Sequence, residues 1–176
     1  MKNFTRLFAV ASLLIIFAVT AQAQVTDNST ATATIIAPIG IDKQVDLNFG
    51  NLSVSGTQGV VTLEPTSAAL RSQVGGVTFP AVAGTVTAAE FAISGVPEST
   101  YSILLPSTDL VITNTTGTGG ETMIVNNFTS TPTPTGELNL SGTETLYVGA
   151  DVTVAANQQS GVYVSAVPFD VTVNYN

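Results

Sequence analysis

The sequence lacks the side chains that most hydrolases use for catalysis, and its carboxylates are the remaining candidates. There is no His and no Cys, so a Ser-His-Asp triad, a Cys-His pair and the usual zinc sites are excluded. Twelve Asp and Glu residues remain. Two carboxylates at a set separation carry out glycoside hydrolysis, but no spacing in this chain singles out a pair. We therefore predict that the protein is not an enzyme.

Oxygen ligands for calcium are the other chemistry that the sequence offers. Asp42, Asp46, Asp109 and Asp151 each lie near a predicted turn, and calcium prefers carboxylate oxygens. The D-x-D-x-D-G spacing of a calcium-binding loop does not occur. The sequence therefore predicts no cofactor, with a calcium site as the one alternative.

The first residues have the pattern of an export signal. Lys2 and Arg6 precede an apolar run from Leu7 to Val19, and the small-residue cleavage pattern Ala21-Gln22-Ala23 follows. The apolar run is shorter than the roughly 20 residues that a membrane-spanning helix needs. We predict a signal peptide over residues 1–23 and export through the periplasm to the cell surface or an extracellular fibre. We do not expect the mature chain to insert into the membrane.

The mature chain is strongly acidic. Removal of residues 1–23 leaves Lys43 and Arg71 against all twelve acidic residues, a formal charge of −10. Nucleic-acid binding requires clustered Lys and Arg to contact phosphates, so it is excluded as a function.

The sequence predicts that the residues of any functional site are positioned by β-strands. Charged residues are only 9% of the chain, and apolar and polar residues alternate in many short segments separated by Gly, Pro and Asn. These patterns predict an all-β domain over residues 39–176, a β-sandwich. Strands are predicted over 30–36, 45–49, 59–63, 77–82, 85–93, 101–105, 110–113, 123–128, 138–140, 145–154 and 162–175.

The most regular strand is at the end of the sequence. One face of it is apolar, while Asp170, Thr172 and Asn174 lie on the other. The apolar face consists of Phe169, Val171, Val173 and Tyr175. Because no later strand of this sequence follows, we expect its outer edge to need a partner from elsewhere.

The two ends of the predicted mature chain carry a recognisable pattern. The run ATATIIAPIGI from Ala31 to Ile41 leads into Asp46-Leu-Asn-Phe-Gly50, and Ser160-Gly-Val-Tyr163 precedes the F-x-V-x-V-x-Y strand. This pattern resembles the bacterial domain family of unknown function numbered 4402. It is also similar to the spore coat protein U-like pilins of archaic chaperone–usher fibres.

The resemblance implies an immunoglobulin-like β-sandwich that is incomplete. It would be completed by donor-strand exchange, in which the N-terminal extension of one subunit fills the groove of the next. Residues 24–38 would then be the extension, with donor residues Ala31, Ala33 and Ile35. The acceptor groove would be formed by Phe169, Val171, Val173 and Tyr175. The implied partners are further copies of the chain in a homopolymer, a periplasmic chaperone and an outer-membrane usher, in a fibre that serves adhesion or biofilm formation.

Two alternatives remain open at the level of sequence. Ala31 and Ala33 are small, Asp27 and Ser29 share their face, and Ile35 is the one large donor anchor. Residues 30–36 therefore also suit a first strand that pairs within its own chain. In that case the protein is a self-contained secreted β-sandwich module that binds a sugar or a surface.

Overall fold

A computed structural model describes residues 24–116 and 119–176 of the chain. The predicted signal peptide, residues 1–23, lies outside the described residues. The chain divides into a unit that ends at Ile35 and a compact unit from Ile36 to Asn176. The second unit is all-β, as predicted. None of the described segments is a helix with the length and hydrophobicity that a membrane crossing requires.

The strands are short and follow one another closely along the chain. In order they are β1 Gly40–Val45, β2 Asn48–Phe49, β3 Ser53–Leu63, β4 Arg71–Thr78, β5 Val86–Thr87, β6 Ala89–Ser94, β7 Thr100–Leu104, β8 Leu110–Asn114, β9 Thr122–Thr131, β10 Thr135–Glu137, β11 Thr143–Val154, β12 Tyr163–Ser165 and β13 Thr172–Tyr175.

Their order is that of an immunoglobulin-like sandwich. The larger sheet has the order β1-β6-β11-β9-β8-β12, with β3 and β4 added beside β11, and the smaller sheet has the order β10-β7-β13. Strands β1, β6, β11 and β9 match A, B, E and D of the immunoglobulin fold, and β7 and β13 match C and F. The position of strand G, beside β13, is occupied by no strand of the described residues.

Strand β11 holds the larger sheet together. One edge pairs with β6 through Thr143–Val148 and then with β3 through Ala150–Val154, while the other edge pairs with β9. Gly149 lies at this change of partner, where an added Cβ would be 2.1 Å from the Leu63 carbonyl oxygen. A side chain at this position would push the two strands apart, which explains the glycine.

The hydrophobic core follows the two halves of β11. The first half contributes Leu146 and Val148 to a cluster with β6, β7 and β13, and the second half contributes Val152 and Val154 to a cluster with β3, β4 and β9. Leu47 packs against both clusters and against a third, smaller one around Leu63.

Several predicted strands differ from the observed ones. Residues 45–49 and 85–93 are each divided between two strands. Residues 30–36 form no strand, because an extended segment needs a neighbouring strand to satisfy its main chain. Residues 138–140 lie in a turn held by Asn139, whose Oδ1 accepts hydrogen bonds from the amides of Ser141 and Thr143. The predicted strand at 77–82 instead occupies Arg71–Thr78 and ends before Pro80. Residues 162–175 form two strands rather than one.

Candidate functional site

Strand β13 has one edge without a partner in the described residues. It pairs with β7 alone, and Asn176 N donates to the Thr100 carbonyl oxygen at 3.3 Å. In an antiparallel pair the main-chain groups of alternate residues point to opposite sides. Asn174 and Thr172 therefore bond towards β7. The amides and carbonyls of Val173 and Tyr175 consequently point to the open edge.

The side chains of β13 and of the three residues before it alternate between the two faces, as the sequence pattern predicts. Val173 is buried in the core, while Phe169, Val171 and Tyr175 are partly buried and pack against the same cluster. The three polar residues between them, from Asp170 to Asn174, are exposed. The four residues proposed as an acceptor groove are thus brought together on the inner face.

Among the described residues, strand β1 also has one edge without a partner, and its inner face is partly exposed to solvent. Ile41 pairs with Ile93, which is only 1% exposed, and Lys43 pairs with the buried Phe91. Directly paired residues point to the same side of a sheet, so Ile41 and Lys43 face the interior of the sandwich. Yet Ile41 is 38% exposed and the Lys43 side chain is 55% exposed, with Asp46 as its ion-pair partner at 2.5 Å.

Strands β1 and β13 lie side by side, and we call the side of the sandwich that they form the open flank. Cα atoms of the two strands come within 8 Å of one another. Tyr175 closes one end, because its hydroxyl accepts a hydrogen bond from Val96 N at 2.7 Å and donates to the Ala37 carbonyl oxygen at 3.2 Å. Gly95 leaves room for this hydroxyl, since a Cβ there would be 2.2 Å from it.

The other end of β13 opens into a cleft of about 450 Å³, lined by residues 104–110 and by 167–170 with Thr172. Leu104 and Val167 are 66% and 69% exposed there. The Phe169 ring packs against Phe128 with centroids 4.9 Å apart. Asp109 and Asp170 contribute the charged groups of the lining. The cleft is thus lined by both apolar and polar side chains, two of them acidic, and it lies where β13 begins.

The candidate donor residues lie in the unit that ends at Ile35. Residues 24–35 have no regular secondary structure, and every one of them is exposed. The Ile35 side chain is 98% exposed. Ala31 and Ala33 are exposed in the same segment.

The four aspartates considered for calcium are not brought together. Each contacts a different polar neighbour, and the described residues contain no group of three or more acidic residues arranged to hold a metal. The hydrogen-bond donors are Gln44 to Asp42, Lys43 to Asp46, Asn126 to Asp109 and Asn127 to Asp151.

The sequence motifs near the two ends have structural roles. In the first, Phe49 packs in the core and the Gly50 amide donates to the Asn48 side chain. Gly50 has a φ of 69° and no room for a Cβ beside Ala83. These contacts explain why the residue types of L-N-F-G occur together at this turn.

The second motif surrounds a buried amide. An added Cβ at Gly161 would lie 2.2 Å from the Asn114 side-chain oxygen, and Asn114 is almost fully buried. The Asn114 side chain donates to the Ser160 carbonyl and accepts from the Thr116 amide. The Tyr163 hydroxyl donates to the Gln159 carbonyl nearby. The motif therefore holds the chain that leads from β11 to β12.

Sequence reasoning missed a buried polar contact between the two sheets. The Tyr101 side chain on β7 is fully buried, and its hydroxyl donates to Glu144 Oε2 on β11 at 2.7 Å. The same carboxylate oxygen accepts from Glu137 N at 3.0 Å. Burial, followed by the hydrogen bond and charge of Glu144, raises the pKa of Tyr101 well above its ordinary value. Tyr101 looks like an ordinary core position in the sequence, because its partner is 43 residues away.

Comparison with known proteins identifies the family of the domain. No curated protein and no solved structure matches the chain. A family profile matches residues 39–175, which covers the strands of both sheets and both structural motifs. The chain therefore belongs to the family described as Domain of unknown function (DUF4402).

Proposed function

We propose that this protein is an exported structural subunit of a pilus-like surface fibre, assembled by donor-strand exchange. In this proposal the open flank of one copy takes up residues 24–38 of the next copy as a further strand. The observation that carries the proposal is that β1 and β13 each have an edge with no partner in the part of the chain that the structure describes, and that the inward-facing Ile41 is partly exposed.

The energetics favour an added strand at this place. An unpaired edge presents main-chain groups that another strand can bond, and such edges readily template pairing with a second chain. Covering Ile41, Val171 and Tyr175 would remove further apolar surface from water, at about 25 cal/mol per Å². A head-to-tail contact of this kind does not close on itself, so repetition yields a fibre.

The N-terminal segment has the properties of the donor. Ala31, Ala33 and Ile35 share one face when the segment is extended, and the segment is exposed throughout. Ile35 is the large apolar side chain of that face, and its nearly complete exposure is unfavourable for an aliphatic residue in water. Pairing with a second copy would bury it.

The location and helpers follow from the same proposal. Residues 1–23 would direct export. If the resemblance of the sequence motifs to those of spore coat protein U-like pilins extends to assembly, a periplasmic chaperone would cover the open flank before the subunit joins the fibre. An usher in the outer membrane would then release subunits into the fibre. The role of such a fibre would be adhesion or biofilm formation.

A matched pair of charge substitutions tests the donor assignment. Ile35→Asp places a charge on the donor face, whereas Thr34→Asp places the same charge on the opposite face of the adjacent residue. We expect the wild type and Thr34→Asp to give a ladder of polymers on an unboiled denaturing gel, and Ile35→Asp to give monomer. A single monomer band for the wild type would instead favour a self-contained binding module.

A further inference from the structure

We propose that Asn139 is the acceptor of an N-linked oligosaccharide, which a periplasmic transferase attaches after export. This inference rests on the export part of the proposed function. It does not depend on strand exchange between copies or on the open flank.

The residues around Asn139 have the sequence pattern of an acceptor. The basic pattern is Asn-x-Ser/Thr, in which x is any residue except Pro. After residue 23 it occurs at Asn28, Asn51, Asn114, Asn127 and Asn139. Bacterial transferases of this kind also require an acidic residue two positions before the Asn. Glu137 stands at that position for Asn139, whereas the other four triplets have Thr, Phe, Ile or Val there.

The structure places this pattern on an exposed turn. Glu137 is the last residue of β10, and Asn139, Leu140 and Ser141 follow it before β11 begins. All four side chains are exposed, and Leu140 is 80% exposed although it is aliphatic. An enzyme can therefore reach the Asn139 amide and the residues on both sides of it from solvent.

The other triplets lack this combination of an acidic residue and an exposed turn. Asn114 is almost fully buried, and Asn127 lies within the long strand β9. The Asn51 side chain donates to the carbonyl of a residue 31 positions away. Asn28 is exposed, but no acidic residue precedes it by two positions. Asn139 is thus the triplet that satisfies both conditions.

The hydrogen bonds of Asn139 favour its reaction. Its Oδ1 accepts from the amide of Ser141 at 2.8 Å, which forms an Asx turn, and from the amide of Thr143 at 3.1 Å. Its Nδ2 donates to Thr143 Oγ1 at 3.0 Å. Hydrogen bonds to Oδ1 draw electron density from the carboxamide and make its N–H groups more acidic. The proton that must leave during transfer is therefore easier to remove.

The transfer step needs one co-reactant, an oligosaccharide carried on a polyprenyl pyrophosphate. Asn139 Nδ2 attacks C1 of the first sugar, so that an N–C1 bond forms while the C1–O bond to the pyrophosphate breaks. The pyrophosphate leaves with the electron pair of that bond, and Nδ2 gives up one proton to the transferase. No atom is oxidised or reduced.

The position of Asn139 is compatible with assembly of the fibre. In the smaller sheet β10 and β13 lie on opposite sides of β7. A sugar attached just after β10 is therefore separated by β7 from the unpaired edge of β13. Attached oligosaccharides are bulky and solubilising, and one at Asn139 would shield the exposed Leu140 from other molecules.

Expression of the full chain in a bacterium that contains an N-oligosaccharyltransferase and its polyprenyl-pyrophosphate oligosaccharide tests the assignment. Mass spectrometry of the periplasmic protein and of its peptides should locate the sugar on Asn139. Ser141→Ala removes the hydroxyl of the acceptor pattern but keeps the main-chain amide that bonds Asn139 Oδ1, so the turn is retained. We expect Ser141→Ala and Glu137→Gln to lose the modification, and Ser141→Thr and Asn28→Gln to keep it.

The outcomes separate this inference from the proposed function. Unmodified wild type in the periplasm would overturn the assignment of Asn139 and leave the proposed fibre intact. A sugar on another Asn, or one that persists in Ser141→Ala, would also overturn the assignment. Wild type that stays in the cytoplasm with residues 1–23 attached would overturn export and therefore both proposals.

Discussion

The two sides of this sandwich differ in the pairing of their strand edges and in the burial of their inward-facing residues. Strand β11 has a neighbouring strand on both edges from Tyr147 to Thr153, and its inward residues Leu146, Val148 and Val152 are essentially inaccessible to water. Within residues 24–116 and 119–176, strands β1 and β13 have one partner each, and Ile41 on the inner face of β1 is partly exposed. The difference separates two regions: the closed side buries the residues that stabilise the fold, whereas the open flank has main-chain groups that a further strand could pair with.

The largest effect is expected on the closed side. Leu146→Ala leaves a cavity in a fully buried site of the first core cluster. Removal of a buried leucine side chain costs about 2–5 kcal/mol of unfolding free energy. Urea denaturation of the monomer measures this loss. A change below about 1 kcal/mol would show that the β11 region does not dominate stability.

The next largest decrease in unfolding free energy is expected when the Tyr101–Glu144 contact between the sheets is removed, and this decrease should depend on pH. Tyr101→Phe removes the hydroxyl that donates to Glu144, and we expect a loss of about 1–2 kcal/mol measured by urea denaturation at neutral pH. Because folding raises the pKa of Tyr101 above the unfolded value of about 10, its favourable contribution is complete below that pH. Above pH 10 only the unfolded state loses this proton, so wild-type stability falls as pH rises.

The control for this prediction is the slope of stability with pH. Between neutral pH and pH 11, the free energy of unfolding should decrease less for Tyr101→Phe than for the wild type. Parallel curves for the two proteins would contradict the assignment of the alkaline sensitivity to Tyr101.

A smaller effect is expected where Tyr175 closes the open flank. Tyr175→Phe removes the hydrogen bonds to Val96 N and to the Ala37 carbonyl oxygen, at a cost of about 0.5–1.5 kcal/mol in the monomer. Because an incoming strand must widen this end, we expect the variant to polymerise faster although it is less stable. Gel densitometry over time measures the rate. Slower polymerisation would mean that Tyr175 supports the acceptor rather than closing it.

The smallest effect on the monomer is expected at Ile41 on the open flank. Ile41→Ala removes a side chain that is already partly in water, so we expect less than about 1 kcal/mol by urea denaturation of the monomer. In the polymer the same change should cost more, because the donor strand would cover this residue. Heating unboiled samples through a temperature series compares the dissociation of the two polymers. Equal dissociation temperatures would contradict burial of Ile41 in the assembly.

Periodicity was sufficient for the fold class and for the inner face of β13. The alternation from Phe169 to Tyr175 predicts correctly which side chains point inward, since strand geometry fixes the two faces. It also predicts a strand over residues 30–36, which the structure lacks. The pattern reports whether a segment can be a strand, whereas pairing depends on which neighbours are present.

The candidate site was harder to predict than the fold. The exposure of Ile41 follows from sheet order, and no local pattern in the sequence shows which edges stay unpaired. The cleft beside Phe169 forms between segments about 60 residues apart, 104–110 and 167–172, which local periodicity does not relate. The link between Tyr101 and Glu144 escaped prediction for the same reason.

Hydrogen–deuterium exchange at the amides of Val173 and Tyr175 tests the central claim most directly. The account predicts rapid exchange of both amides in the dilute monomer, because they point to the open edge, and strong protection in the polymer. The amides of Asn174 and Asn176, which face β7, serve as the internal reference. Equal and strong protection of Val173 and Tyr175 in the dilute monomer would contradict the account.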